Sequence, residues 1–172
     1  MYDVITETQA DHWEVEALYD LCFAPGREAL SSYRLREGIR PVAALSLVAR
    51  DPAGILAGAI RYWPVEVDGH AVLLLGPVAV HPTRQGEGLA ATLIRESLRI
   101  AGQRGWHRVM LVGDAPYYAR FGFVRLNEIE MPPPTNPDRV LGQPLVPGGW
   151  DGVRGAVTRW SAAALPDGTP AH

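Results

Sequence analysis

Gln85-Gly86-Glu87-Gly88-Leu89-Ala90 is the stretch of this chain best suited to hold an anion. Its two glycines let the backbone come close to a ligand. The apolar positions that follow, Ala90, Leu93, Ile94, Leu98 and Ala101, recur every three or four residues and predict a helix. The unpaired N–H groups and positive dipole end of that helix would favour a phosphate. Arg84 stands just before the turn, where it either pairs with such a phosphate or remains a solvated charge, and the same two readings apply to Arg120. Glu87 is ill placed beside a phosphate and must point away from it. His81, next to Pro82, is a possible base, but the five histidines show no ligand spacing and no metal site is expected. Further on, Tyr117 and Tyr118 lie close to Phe121. Both could be core aromatics, which is the reading favoured for Tyr117. A phenol titrates at roughly 10 and stays protonated at neutral pH, so Tyr118 could instead donate a proton.

The elements that must position these groups are legible in outline. The run Leu73-Leu74-Leu75-Gly76-Pro77-Val78-Ala79-Val80 reads as a buried strand over residues 71–80. Proline brings no N–H to a ladder, so Gly76-Pro77 should disturb it and leave the backbone of Val78, Ala79 and Val80 partly free for an amide-bearing ligand. Residues 43–50 and 55–67 read as strands joined by Asp51-Pro52-Ala53-Gly54. Asp68-Gly69 is a hairpin turn into the 71–80 strand, which gives an antiparallel meander. The helix of residues 88–104 stops at Gly105, and its crossover makes residues 107–112 parallel to 71–80.

Around this centre, residues 2–8 read as a first strand. Asp11 caps a helix with the apolar face Trp13, Val15, Leu18, Tyr19 and Cys22, ended by Pro25-Gly26. Residues 27–37 form a second short helix. Asp114-Ala115-Pro116 starts a short helix through Tyr118, and residues 123–126 form a strand. Met131-Pro132-Pro133-Pro134-Thr135-Asn136-Pro137 is an exposed connector. Residues 140–146 and 153–160 read as a final pair of strands around Pro147-Gly148-Gly149. The expectation is one α/β domain over residues 1–163, with a mixed, mostly antiparallel sheet, helices on both faces and a flexible tail at 164–172.

Bulk properties narrow the function. A net charge of −3 and a pI near 5.9 give no electrostatic case for nucleic acid. Cys22 is the lone cysteine and reads as a core residue, so no intramolecular disulfide is possible. No signal-peptide core or membrane-length apolar run is present. A cytoplasmic protein without membrane contact is expected.

Two motifs now bear on identity. Val80-His81-Pro82 followed by Gln85-Gly86-Glu87-Gly88-Leu89-Ala90 resembles the Q/R-x-x-G-x-G/A signature, after a V-x-P strand end, of the GNAT superfamily of acyl-CoA-dependent N-acyltransferases. Tyr118-Ala119-Arg120-Phe121-Gly122-Phe123 resembles that family's Y-x-K/R-x-G-F element. The resemblance is clear over residues 44–126. It implies that the two central parallel strands splay apart and that acetyl-CoA is the cosubstrate. Pantetheine would pair with Val78, Ala79 and Val80. The pyrophosphate would lie on the amides of Gln85, Gly86, Glu87, Gly88, Leu89 and Ala90, with Arg84 beside them. Tyr118 would protonate the leaving thiolate, and Tyr117 would be structural. The implied reaction is acetyl transfer to a primary amine, a small molecule being favoured.

Other readings remain open at this level: a CoA-binding regulator without turnover, or an acetyltransferase for protein N-termini or lysines. Whether the chain forms a homodimer is also open. The family often uses a strand carboxylate as general base, but residues 71–80 contain none, and Glu66 and Asp68 lie near a hairpin tip. Gly86-Glu87-Gly88-Leu89-Ala90-Ala91 also fits the dinucleotide pattern G-x-G-x-x-G/A. His81 to Gln85 separate it from the strand, however, and the strands before it are hairpin-linked. A Walker loop fails for want of Gly-Lys-Ser/Thr. A glycine turn that merely caps a helix is the remaining alternative.

Overall fold

The computed structural model describes residues 1–23, 31–169 and 171. In chain order the elements are β1 (Asp3–Thr6), α1 (His12–Cys22), α2 (Ser31–Arg34), β2 (Leu47–Arg50), β3 (Leu56–Val67), β4 (His70–Val80), α3 (Leu89–Gln103), β5 (Arg108–Val112), α4 (Ala115–Tyr118), β6 (Val124–Arg125), β7 (Ile129–Glu130), β8 (Val140–Pro144) and β9 (Gly155–Arg159). The strands form one sheet in the order β1-β2-β3-β4-β5-β8-β6, with β9 on the far half of β3 and β7 beyond it. Most pairs are antiparallel, while β4–β5 and β7–β9 are parallel.

Successive strand residues point to opposite faces, and each face takes a helix. Leu89, Leu93, Ile94 and Ala101 of α3 pack on Leu47, Ile60, Tyr62, Leu73 and Leu75. A Cβ on Gly58 would meet Leu93 at 3.1 Å, so glycine lets α3 lie close to β3. On the other face Val15, Leu18 and Tyr19 of α1 cover Val48, Leu56, Ala59 and Ala79. The expected α/β class and the antiparallel meander are both present. No helix among the described residues is long and apolar enough to cross a membrane.

Four local expectations need comment. Residues 43–50 are not one strand: Ala43–Leu45 is a 3-10 turn, and the Ser46 hydroxyl bonds back to Val42 O at 3.0 Å before β2 begins. The last two strands do not pair with each other. β8 adds to β5, whereas β9 reaches β3 at Val65–Val67. The segment between them wraps under the start of β5, where Leu145 N donates to His107 O at 2.9 Å and Arg108 Nε donates to Gly149 O. Residues 164–172 read as a frayed end, yet Leu165 and Ala171 are buried against the α3-side core. The expected stop at Pro25-Gly26 lies outside the described residues.

Candidate active site

Between β4 and β5 the sheet is joined at only two positions, Leu73 with Val109 and Leu74 with Met110. β4 continues to Val80 along β3 alone, while β5 turns to β8. The register along β3 shifts between Ile60 and Tyr62, which places two β4 residues, Gly76 and Pro77, opposite one on β3. This is a β-bulge at the position where the proline falls. Trp63 Nε1 donates to Gly76 O at 2.9 Å, and the Tyr19 hydroxyl to Pro77 O at 3.2 Å, so the carbonyls released at the bulge have partners.

Beyond the bulge, His81 N donates to Ala57 O at 2.8 Å. Antiparallel ladders alternate, so the amide and carbonyl of Ala79 also face β3, while those of Val78 and Val80 face the side that β5 has left. The open edge is therefore a ready partner for an extended ligand with its own amides. Gln85 Nε2 approaches Val80 O from the turn at 3.4 Å, as does the thiol of Cys22 from α1. Cys22, expected in the core, is only half-buried at the edge of the α1 face, where Trp13 is exposed, and burial pushes its thiol pKa up.

The glycine turn sits at the end of that edge. Gly86 has a φ of 87° and Gly88, the N-cap of α3, a φ of 78°, so both positions favour glycine. A Cβ on either would meet nothing within 4 Å, and residues 85–88 are exposed. Thr92 N bonds back to Gly88 O at 3.1 Å, and the amides ahead of it have no carbonyl to reach inside the helix. Glu87 points away, as its charge requires, and its carboxylate accepts from the Tyr2 hydroxyl at 2.6 Å. Arg84 is engaged elsewhere: its guanidinium pairs with Asp51 at 2.6 Å and reaches Tyr2 at 3.4 Å. His81 is also occupied, since its ring caps the 3-10 turn by accepting from Thr83 N at 3.2 Å. Arg120 donates to Tyr117 O at 3.0 Å and stacks over the Tyr117 ring.

Tyr118 stands across the gap. Asp114 caps α4 by accepting from Tyr117 N at 3.0 Å, which starts the helix where the sequence suggested. Tyr118 then lines a cavity of about 170 Å³ with Leu75, Gly76, Pro77 and Val78 of β4 and Leu111 of β5. Its ring packs against Tyr117, with centroids 5.0 Å apart, and against Phe123 at 5.8 Å. Burial, with the nearby Tyr117, pushes its pKa up to about 12. Gly113 makes room for it: a Cβ there would lie 2.6 Å from Tyr118 Cε2 and 2.9 Å from Leu111 Cδ1.

Sequence reasoning missed the wall opposite Tyr118. Tyr33 of α2 and Arg36 just after it line that cavity with Tyr118, Trp63 of β3 joins them in a second cavity, and no spacing in the sequence announces them. Glu66, near the hairpin tip, is taken up by Ser161, whose N and Oγ each donate to it at 2.8 Å. Among the described residues no group of three His, Cys, Asp or Glu could hold a metal ion.

Comparison with known proteins places this arrangement. The Acetyltransferase (GNAT) family profile matches residues 11–123. The Uncharacterized N-acetyltransferase YhbS of Escherichia coli (strain K12) is 35% identical over 111 residues, which are 63% of this chain and 65% of that relative, so the match spans just under two thirds of the relative's length. The crystal structure of YhbS from Escherichia coli in complex with CoA superposes with a TM-score of 0.80 at 28% identity, covering 92% of this chain and 89% of the other. That of a GNAT family acetyltransferase from Brucella melitensis in complex with acetyl-CoA gives 0.69 at 28% identity, over 94% and 97%. With the family profile running from α1 through the glycine turn to Phe123, the chain belongs to the GNAT acetyltransferase family.

Proposed function

We propose that the chain transfers an acetyl group from acetyl-CoA to the primary amine of a small molecule by direct attack, in the cytoplasm. The observation that carries this reading is the two-pair β4–β5 junction, with an open strand edge that runs from Tyr118 to a glycine turn at a helix start. Pantetheine pairs with the outward amides and carbonyls of Val78 and Val80, and Ala79 holds that edge to β3. The pyrophosphate takes the amides of Gln85 to Ala90. Arg84 stays with Asp51 and contributes at most a general positive field.

The amine nitrogen attacks the thioester carbonyl carbon. Charge that develops on the carbonyl oxygen meets the Val78 N–H. The carbon–sulfur bond then breaks, and the sulfur takes the Tyr118 proton. The amine's surplus proton leaves to water, since no carboxylate of β4 is available, and water returns a proton to the Tyr118 phenolate. The cavity beside Tyr118, about 170 Å³, is of a size that favours a small amine over a peptide.

Two substitutions test this reading. Gly88→Val puts a side chain where the phosphates lie, and calorimetry should show CoA binding weakened by ~10-fold or more, about 1.4 kcal/mol. Unchanged affinity in the folded variant removes the glycine turn from the site. Gly113→Ala drives a methyl group into the Tyr118 ring. With an acceptor found by screening amines for thiol release, kcat should fall by ~10-fold or more as the phenol is displaced, with CoA affinity retained. A protein that binds CoA yet releases no thiol with any of the amines is a CoA sensor instead.

A further inference from the structure

Arg36, in the wall of the site, is a cation that pairs with no carboxylate among the described residues, although Glu16 and Glu37 line a cavity with it. The backbone after α2 holds it there: Arg36 N bonds to Tyr33 O at 3.1 Å, and the neighbouring Leu35 is buried in the second core. Its guanidinium lies 3.9 Å from the Tyr33 ring centroid and 4.9 Å from that of Trp63. Trp63 is itself pinned to the bulge through Gly76 O, so the arginine is fixed relative to the splayed edge. The Arg36 side chain hydrogen-bonds Tyr33, while its Nε is buried and has no hydrogen-bond partner among the described residues.

Arg61, the other arginine of this wall, is differently served. It bonds Glu7 at 2.8 Å and Glu16 at 2.5 Å. Arg36 makes no ion pair among the described residues. Burial draws its pKa down to about 10, so it is still charged at neutral pH while short of water. A half-desolvated guanidinium gains most from a carboxylate, whose two oxygens match its planar fork. Arg36 lines both the cavity at Tyr118 and a second cavity of about 310 Å³, which Tyr118 does not reach.

We propose that Arg36 receives a carboxylate carried by the acceptor, so that the substrate is an amine bearing a carboxylate, of which an amino acid is the simplest form. This rests on the acetyl-transfer reading. The phosphates of the cosubstrate have their own place at the glycine turn, at the other end of the β4 edge. Tyr118 does not line the second cavity, which favours the acceptor over the acyl group as the carrier of the carboxylate.

The test uses binding and so needs no turnover. N-acetylated forms of the common amino acids, the expected products, are titrated into the CoA-saturated protein beside their carboxamides. At least one acid should bind ~10-fold to 10²-fold more tightly than its amide. Arg36→Met should erase that difference, and Arg36→Lys should keep part of it, with CoA affinity and melting temperature unchanged in both. Equal binding of acid and amide in every pair overturns the proposal, as does a preference that survives in Arg36→Met. Succinyl-CoA is the competing arm: if the protein prefers it to acetyl-CoA and Arg36→Met cancels that preference, the carboxylate sits on the acyl group and the proposal is wrong. If acids win through Arg36 but no amine is acetylated, the carboxylate subsite stands and the acetyl-transfer reading fails.

Discussion

Tyr118→Phe is expected to lower kcat by ~10-fold to 10²-fold and to leave CoA affinity within about a factor of two. Removing a general acid typically costs roughly 10²–10⁴ in rate. The lower part of that range applies here because a thiolate already leaves well and water can replace a phenol. Affinity should hold because the ring, which packs against Tyr117 and Phe123, is retained. Burial pushes the Tyr118 pKa up to about 12, so the proton is present at every pH at which the enzyme would be assayed. An alkaline fall in rate below that value must come from another group. Tyr117→Phe is the control, with an expected change in kcat within about a factor of two, as for a substitution away from the reacting atoms. Should Tyr117→Phe be the slow variant and Tyr118→Phe normal, the assigned donor is off by one residue. Normal turnover in both would mean that the thiolate leaves without a protein acid.

The second large effect is on stability. Gly149→Ala should cost more than ~3 kcal/mol, within the range reserved for severe steric conflict. A Cβ at this position would lie 2.1 Å from His107 O, a backbone atom that cannot step aside cheaply. That carbonyl already accepts from Leu145 N, and Gly149 O accepts from Arg108 Nε. Moving either chain breaks a bond that ties the 145–153 segment to the start of β5. For a chain of this size the melting temperature should drop by roughly 6–12 °C. Gly102→Ala is the matched control. It lies inside α3, its Cβ would meet nothing nearer than Leu145 O at 3.8 Å, and alanine is the better helix former by about 1 kcal/mol. A Gly149→Ala protein that melts like the parent would show that the close approach relaxes freely.

The parts of the molecule governed by local rules were legible in the sequence. The Asp68-Gly69 hairpin, the start of α3 after Gly88 and the Asp114 cap of α4 each follow from residues within a few positions of one another. Family membership followed from the glycine turn and the Tyr118 motif, both local too. What stayed hidden depends on long-range placement. Residues 140–160 contain two strand-like runs and a turn, which locally read as a hairpin. Their separation is set by the contact of Gly149 with His107 and by the free edge of β3. From its neighbours in the chain Arg84 could be a phosphate ligand or a solvated charge, and only the fold brings Asp51 to it. Arg36 carried no signal at all, because only the fold brings Trp63 to it.

The two-pair junction between β4 and β5 has a consequence for how long the protein lasts as well as for what it does. It divides the sheet into a large block and a small one, β5, β8 and β6, joined across the gap by little main-chain bonding, by Arg108 reaching Ala71 O at 2.6 Å and by helix packing. On the proposed reading, pantetheine spans that gap and completes the sheet with a removable strut. Cosubstrate at a hundred times its Kd adds about 2.7 kcal/mol of resistance to unfolding. Starvation that empties the acyl-CoA pool would then do more than slow the reaction. It would expose the unbraced form to proteolysis, so that the amount of enzyme tracks the supply of its own donor.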